Sequence, residues 1–130
     1  MPHFTALVTL LAVFLYFWFG FQVGQARVKC GVKPPATTGH ADFERVFRVQ
    51  MNTLEWMPVF LPAMWLAAIY VSDIGAALVG AVWIAGRALY MRGYAQAAEK
   101  RETGFFVQAI ATGVLWLAAL IGVIMSMLHG

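Results

Sequence analysis

Four long apolar segments, separated by short polar stretches, restrict what this chain can fold into. They cover residues 4–26, 44–72, 74–97 and 103–128. Each is at least as long as the roughly 20 residues that an α-helix needs to cross a bilayer. With 62% hydrophobic and 12% charged residues, the chain also has too little polar surface to cover a small soluble domain. We therefore expect one all-α domain over residues 1–130, folded as an integral membrane four-helix bundle.

The connections between these segments differ in length. Residues 71–75, "VSDIG", leave room only for a tight turn between the second and third helices. Residues 29–42 contain the Pro, Gly and Thr typical of a longer ordered loop. The first segment has neither a basic start nor a small-residue cleavage site at its end, so we expect it to remain as a helix of the mature protein.

Basic residues flank the first and third loops and are absent from the second. They are Arg27, Lys29, Lys33, Arg45 and Arg48 around the first loop, and Arg87, Arg92, Lys100 and Arg101 around the third. The positive-inside rule then predicts that the first and third loops face the cytoplasm and that both termini lie outside. Because these charges cluster at membrane edges without a nucleic-acid-binding fold, we expect no nucleic-acid partner.

The chain offers little for redox or metal chemistry. Cys30 is the only cysteine, so an intramolecular disulfide is excluded, and we assign this thiol no role. The histidines, at positions 3, 40 and 129, have no metal-ligand spacing. We predict no metal site.

The second apolar segment contains a polar stripe near its start. Arg48, Asn52 and Glu55 are spaced i, i+4 and i+7, which places them on one helix face. Gln50 lies about 200° around the helix from Arg48 and should face another helix or another subunit. Prolines at positions 58 and 62 should bend the helix near this stripe, and such a bend could open a cleft.

The third segment has a similar stripe at the same end of the bundle. It consists of Arg87, Tyr90, Tyr94 and Arg101. Packing the two helices together would place arginine, glutamate, asparagine and tyrosine side chains around one volume. Guanidinium groups bind carboxylates, a carboxylate binds an ammonium group, and amides and hydroxyls bind peptide groups. The two stripes therefore predict a cytoplasm-facing site for a small zwitterion, open to lipid on one side.

Other readings of these residues remain open. Arg48 with Glu55, or Arg45 with Glu44, could be internal ion pairs, and the two tyrosines could belong to an interfacial aromatic belt. A small channel or transporter would need polar residues along the full depth of a helix. Here the charges stop at one side of the predicted membrane.

Three motifs in order carry a resemblance to a known family. They are "PPATTG", "ERVFRVQMNTLEWMPVFL" and "LYMRGYAQAAEKR". Over residues 22–101 the chain resembles the MAPEG family, the membrane-associated proteins in eicosanoid and glutathione metabolism, and within it the branch of leukotriene-C synthase and the microsomal glutathione transferases. The resemblance implies a homotrimer that binds glutathione as co-substrate at each subunit interface, near the cytoplasmic surface.

The resemblance also implies roles for individual residues. The residues implied to contact glutathione from one subunit are Arg48, Asn52, Glu55, Tyr90, Tyr94 and Arg101, and those from its neighbour are Arg27 and Gln50. Arg101 is implied to be the catalytic residue, which stabilises the glutathione thiolate. The sequence departs from the leukotriene synthase pattern at Trp56, where a tyrosine is expected, and at Val28, where an arginine is expected.

The function implied is a membrane-bound glutathione transferase, in which the thiolate attacks a hydrophobic electrophile that arrives from the bilayer. Glutathione-dependent reduction of lipid hydroperoxides is left open as an additional activity. The alternative is a non-catalytic lipid-binding scaffold of the same family. Such a scaffold lacks key glutathione contacts, whereas Arg48, Asn52, Glu55, Tyr94 and Arg101 are all retained here.

Overall fold

The computed structural model describes residues 1–96 and 102–130, and helices account for most of them. The helices are α1 (His3–Cys30), α2 (Ala41–Tyr70), α3 (Asp73–Gln96) and α4 (Glu102–His129). Each contains a stretch long and apolar enough to cross a membrane. The expectation of an all-helical, multi-pass membrane protein is thereby confirmed.

Helix α1 extends four residues beyond the predicted end at residue 26, to Cys30. It stops where Gly31 adopts a left-handed conformation, with φ of 71°, and donates its backbone N–H to the carbonyl of Arg27. Glycine takes this conformation without the steric cost that a side chain would add. Arg27 and Lys29 lie in the last turn, where their charges interact favourably with the helix dipole. The predicted end is too early because the apolar segment was ended at the first charged residue, Arg27.

Helix α2 begins at Ala41 rather than at residue 44, since His40 caps it. The Nδ1 atom of His40 accepts a hydrogen bond from the backbone N–H of Asp42, at 3.2 Å. The helix ends at Tyr70 rather than at residue 72, and α3 starts at Asp73. The described bounds of α3 and α4 lie within one residue of the predicted ones.

Consecutive helices run in opposite directions, as contacts along their length show. Trp65 of α2 donates its indole N–H to the hydroxyl of Thr9 of α1, at 2.8 Å. Phe60 of α2 stacks on Trp83 of α3 with ring centroids 3.9 Å apart and planes 2° from parallel. Both rings are fully buried, and together they fill the centre of the bundle.

Helices α3 and α4 approach closely because glycines face each other. A Cβ atom on Gly104 of α4 would lie 2.6 Å from the carbonyl oxygen of Gly86 of α3. A Cβ atom on Gly86 would lie 2.8 Å from the backbone nitrogen of Gln108. Since no side chain fits at either position without displacing backbone, these glycines set the spacing of the two helices.

Apolar side chains cover the outside of the bundle as well as its interior. Leu10 and Phe17 of α1 and Ile110 of α4 are 69%, 70% and 64% exposed in the single chain. Exposed aliphatic and aromatic side chains of this size are expected on helices that face lipid or other subunits.

The start of α1 is bound to the start of α3. The carboxylate of Asp73 accepts the backbone N–H groups of Phe4, at 3.1 Å, and Thr5, at 2.9 Å. Ser72 caps α3 itself, because its hydroxyl accepts the N–H of Gly75 at 3.0 Å. Asp73 thus caps a helix other than its own.

The prolines of α2 do not interrupt it, since the helix is continuous through Pro58 and Pro62. Beside them lies a groove of about 350 Å³ between α2 and α4, whose lining includes Leu66 and Trp116. A cleft therefore adjoins the prolines, but it is apolar and separate from the polar stripe.

Candidate functional site

A polar cavity of about 430 Å³ lies at one end of the bundle. At this end, called the polar end below, α1 and α3 finish and α2 and α4 begin. The cavity is lined by Arg48 and Asn52 of α2, Tyr90 and Tyr94 of α3, and Glu102, Phe105 and Phe106 of α4. Its volume lies in the range of about 300–1,000 Å³ that is usual for small-molecule sites. Four members of the two predicted stripes, Arg48, Asn52, Tyr90 and Tyr94, therefore line one space.

Glu55 is joined to this cavity through Arg48. The Arg48 guanidinium contacts the Glu55 carboxylate at 2.9 Å, with the two side chains 49% and 57% exposed. An exposed ion pair of this kind contributes only about 0–1 kcal/mol to stability. The pair can therefore exchange its partners for ligand groups at small cost. Its i, i+7 spacing places both side chains on the face predicted from the sequence.

The second ion pair considered from the sequence, between Arg45 and Glu44, is not formed. Arg45 pairs with Asp42, one turn earlier on α2, and not with Glu44. Glu44 instead accepts the backbone N–H of Gly39 at 3.2 Å, which fastens the loop before α2. An i, i+3 pair on a helix brings the two groups to the same face, whereas adjacent residues point about 100° apart.

Arg87 is buried beneath the cavity, with no exposed surface. Its Nη1 donates to Asn52 Oδ1 at 2.9 Å and its Nη2 donates to Thr53 Oγ1 at 2.7 Å. Its guanidinium carbon lies 4.4 Å from the ring centroid of Tyr90. The sequence placed Arg87 on the polar stripe but did not assign it to the site. Its i, i+3 spacing to Tyr90 was the available signal.

Aromatic rings form one wall of the cavity. Tyr94 and Tyr90 have ring centroids 5.5 Å apart, and Tyr90 and Phe105 have centroids 6.2 Å apart. Trp56 meets Phe105 edge to face at 5.6 Å. Phe106, which is 60% exposed, lies at the outer edge of this wall. The cavity therefore has an apolar side that reaches the outside of the bundle.

A second cavity of about 430 Å³ adjoins the first on the loop side. Arg48 and Tyr94 line both cavities. Glu44 and Arg45 line the second one only. A ligand longer than the first cavity could extend past Arg48 into a charged space.

Arg27 and Gln50 lie apart from this cavity within one chain. Arg27 donates to the carbonyl of Ala36 at 2.7 Å and lies 4.8 Å from the ring centroid of Phe43, so it holds the loop between α1 and α2. Gln50 packs on α1, where a Cβ on Gly20 would lie 2.9 Å from its Nε2. Arg101 lies outside the described residues.

The fourth helix supplies site residues that the sequence did not indicate. Glu102, Phe105 and Phe106 belong to a segment whose only recognised property was its hydrophobicity. Glu102, the acidic residue in the first turn of α4, was the one signal available. Among residues 1–96 and 102–130, no group of three or more His, Cys, Asp or Glu side chains is arranged to hold a metal ion.

The fold and the cavity define a multi-pass membrane protein with a polar site at one end of a four-helix bundle. Residues 5–121 match the model of the MAPEG family, and the chain belongs to this family.

Curated relatives align along most of their length. An uncharacterized protein of Synechocystis sp. is 53% identical over 119 residues, which is 92% of this chain and 87% of that protein. Microsomal glutathione S-transferase 2 of Homo sapiens is 44% identical over 117 residues, or 90% of this chain and 78% of the relative. Leukotriene C4 synthase of Mus musculus is 40% identical over 125 residues, which is 96% of this chain and 83% of that protein.

Proposed function

We propose that this protein is a membrane-bound glutathione transferase. The observation that carries the proposal is the convergence of Arg48, Asn52, Tyr90 and Tyr94 around one cavity at the polar end. Relatives named glutathione S-transferase and leukotriene C4 synthase, at 44% and 40% identity, support glutathione as the co-substrate.

The side chains around the cavity match the chemical groups of glutathione. This tripeptide carries two carboxylates, an ammonium group, two peptide groups and a thiol. The Arg48 guanidinium can bind a carboxylate bidentately. The Glu55 carboxylate, released from Arg48, can then accept hydrogen bonds from the ammonium group. Asn52 can donate to the second carboxylate, and the tyrosine hydroxyls can bind the peptide groups.

Arg101 is the residue to which we assign the chemistry. A cysteine thiol with a pKa of about 8.5 is only slightly ionised at neutral pH, and a guanidinium beside the sulfur favours the thiolate. The thiolate sulfur then forms a bond to an electrophilic carbon. The leaving group departs with the electron pair of the bond that breaks.

The second substrate reaches the sulfur from the bilayer side. The aromatic wall of Tyr90, Phe105 and Trp56 ends at the exposed ring of Phe106, so an apolar molecule dissolved in lipid meets an apolar entrance. We place the cavity on the cytoplasmic side, with both termini outside, on the basis of the basic residues around the first and third loops.

We further propose that the active unit is a homotrimer. In a single chain, Arg27 and Gln50 lie on the α1 side of the bundle and away from the cavity. If α1 packs against a neighbouring subunit, these two side chains can complete the neighbour's site. The many exposed apolar side chains of α1 suit such packing.

The test is an assay of the purified protein in detergent with glutathione and 1-chloro-2,4-dinitrobenzene or a fatty-acid hydroperoxide. We expect a thioether with release of chloride from the first, and we measure peroxide consumption with the second. An Asn52→Ala variant should lose most conjugation, whereas Arg92→Gln, at an exposed position of the same end, should keep it. Absence of glutathione binding by calorimetry would overturn the proposal and favour the lipid-binding scaffold.

A further inference from the structure

Arg87 is a charged residue that has no carboxylate partner among the described residues. Ion pairs in this part of the chain join Arg45 to Asp42 and Arg48 to Glu55. The Arg87 side chain is fully buried, and its Nε also has no hydrogen-bond partner in residues 1–96 or 102–130. Burying a cation without a counter-ion is costly, so such a residue requires an explanation.

Two of the residues that contact Arg87 also line the cavity. They are Asn52, whose Oδ1 accepts from Nη1, and Tyr90, whose ring lies under the guanidinium. Arg87 does not line the cavity itself. Any effect of Arg87 on a ligand in the cavity would therefore pass through these two residues or through its charge.

The hydrogen bond with Arg87 determines which way the Asn52 amide is turned. A guanidinium group only donates hydrogen bonds, so the Asn52 atom facing it must be the oxygen. The amide NH2 group consequently points away from Arg87. No described residue accepts a hydrogen bond from it, and Asn52 is partly exposed at the cavity.

We propose that Arg87 is a positioning residue for the cavity. It holds Asn52 so that the amide presents a donor to the ligand, and its buried charge favours an acceptor group that is anionic. In this arrangement the missing counter-ion of Arg87 is supplied, across Asn52, by a negative group of the bound ligand. The inference deepens the proposed function and rests on it for the identity of the ligand, glutathione.

The first experiment measures glutathione affinity by calorimetry in detergent for Arg87→Met and Arg87→Lys. The methionine removes both the charge and the donor, and we expect glutathione binding to weaken about ten- to hundredfold, the usual effect of losing a hydrogen bond to a charged group. The lysine keeps the charge and can still donate hydrogen bonds, but it lacks the planar fork, so its affinity should lie between those of Arg87→Met and the wild type.

Arg92→Gln is the matched control, because it removes an exposed charge from the same helix. Its affinity should stay within about twofold of the wild type, as is usual for surface substitutions. An Arg87→Met protein that melts as a folded protein and binds glutathione as tightly as the wild type would overturn the inference. If Arg87→Met does not fold, an Arg87→Lys protein that binds glutathione as tightly as the wild type would also overturn the inference.

A second experiment tests the orientation of Asn52 without any ligand. Asn52→Asp replaces the NH2 donor with a carboxylate oxygen and gives Arg87 an ionic partner. We expect the thermal midpoint to be lowered less by Asn52→Asp in the wild-type background than in the Arg87→Met background. We also expect Asn52→Asp with Arg87 intact to bind glutathione more weakly than the wild type, although its fold is retained.

The two experiments separate the two proposals. Equal effects of Asn52→Asp in both backgrounds would show that positions 52 and 87 are not coupled, and would overturn the positioning role. Absence of glutathione binding in the wild type would overturn the proposed function, and the thermal comparison would then decide the positioning role alone.

Discussion

Arg48 and Glu55 bind each other in the single chain and are proposed to bind glutathione in the complex. Because both side chains are about half exposed, their mutual ion pair contributes little to stability, whereas contacts to a charged ligand contribute more. We expect Arg48→Ala and Glu55→Ala to change the free energy of unfolding by less than about 1 kcal/mol. Each should weaken glutathione binding at least tenfold, an estimate of roughly 1.5 kcal/mol or more, measured by calorimetry.

Asp42→Ala is the control for this prediction. It breaks the other ion pair of α2, with Arg45, and Asp42 lines neither of the two cavities at the polar end. Its glutathione affinity should match that of the wild type. Unchanged affinity in Arg48→Ala or Glu55→Ala would mean that the residue in question serves only the ion pair.

Arg101 offers a test of chemistry separate from binding. If its guanidinium stabilises the thiolate, Arg101→Ala should raise the apparent pKa of bound glutathione and lower turnover at neutral pH, with only a modest loss of affinity. Higher pH should restore part of the rate, because hydroxide then supplies the thiolate. Arg101→Lys should lie between the wild type and the alanine variant.

The measurements for Arg101 are thiolate absorbance and turnover as functions of pH, for the wild type and both variants. Superimposable curves would leave Arg101 with a topological role only, beside its basic neighbour Lys100.

At the scale of the helix, Gly104 controls how closely α3 and α4 pack beside the cavity. An alanine there would press on the Tyr90 backbone and on the Gly86 carbonyl, so the helices must separate. Overpacking of this kind typically costs about 1–3 kcal/mol. We expect Gly104→Ala to lower the thermal midpoint in detergent and to weaken glutathione binding, because Tyr90 and Phe105 move apart.

Gly113→Ala is the matched control on the same helix. A Cβ there meets no atom within 4 Å, and alanine has the higher helix propensity. Its thermal midpoint should equal or exceed that of the wild type. If Gly104→Ala and Gly113→Ala have the same thermal midpoint and the same glutathione affinity, close packing at Gly104 does not determine the geometry of the site.

The individual helices were more predictable than their contacts. The spacing of Arg48, Asn52 and Glu55 follows from helix geometry, so their common face could be read from the sequence. The contribution of Phe105 could not, because it depends on how near α4 comes to α3. That distance is set by a glycine on each helix, and which glycines pack against each other depends on the tertiary structure. The bond between Arg87 and Asn52 was missed for the same reason.

At the scale of the whole molecule, the proposed trimer makes a prediction about shared sites. We expect a chain with Arg27→Ala and Gln50→Ala to complement a chain with Arg48→Ala and Glu55→Ala when the two are co-expressed. Each substituted chain damages one side of a site, so some interfaces in mixed trimers would join two intact sides. Glutathione binding by mixed oligomers should therefore exceed that of either parent.

The mixed oligomers can be isolated with two different affinity tags, one on each chain. Isolated mixed oligomers without any recovered binding would contradict the shared site. Recovery would also assign Arg27 a second role, in addition to holding the carbonyl of Ala36.

The overall architecture was the most predictable level of all. An apolar chain in lipid must satisfy its backbone groups within helices, so length and composition sufficed to predict four spans. The helix ends were less accurate, since α1 depends on the left-handed Gly31 and α2 on the cap at His40. Such caps depend on single residues and not on the average hydrophobicity of a segment.

The carboxylate of Asp73 bears on how this protein is made. It caps the first turn of α1, but it lies 68 residues after Thr5 in the chain. During synthesis the first turn of α1 is therefore made before its cap, which arrives only when the ribosome has made α2 and the turn that follows it. A nascent chain halted before Asp73 would lack this cap, so this aspartate marks the earliest point at which the N–H groups of Phe4 and Thr5 can gain it.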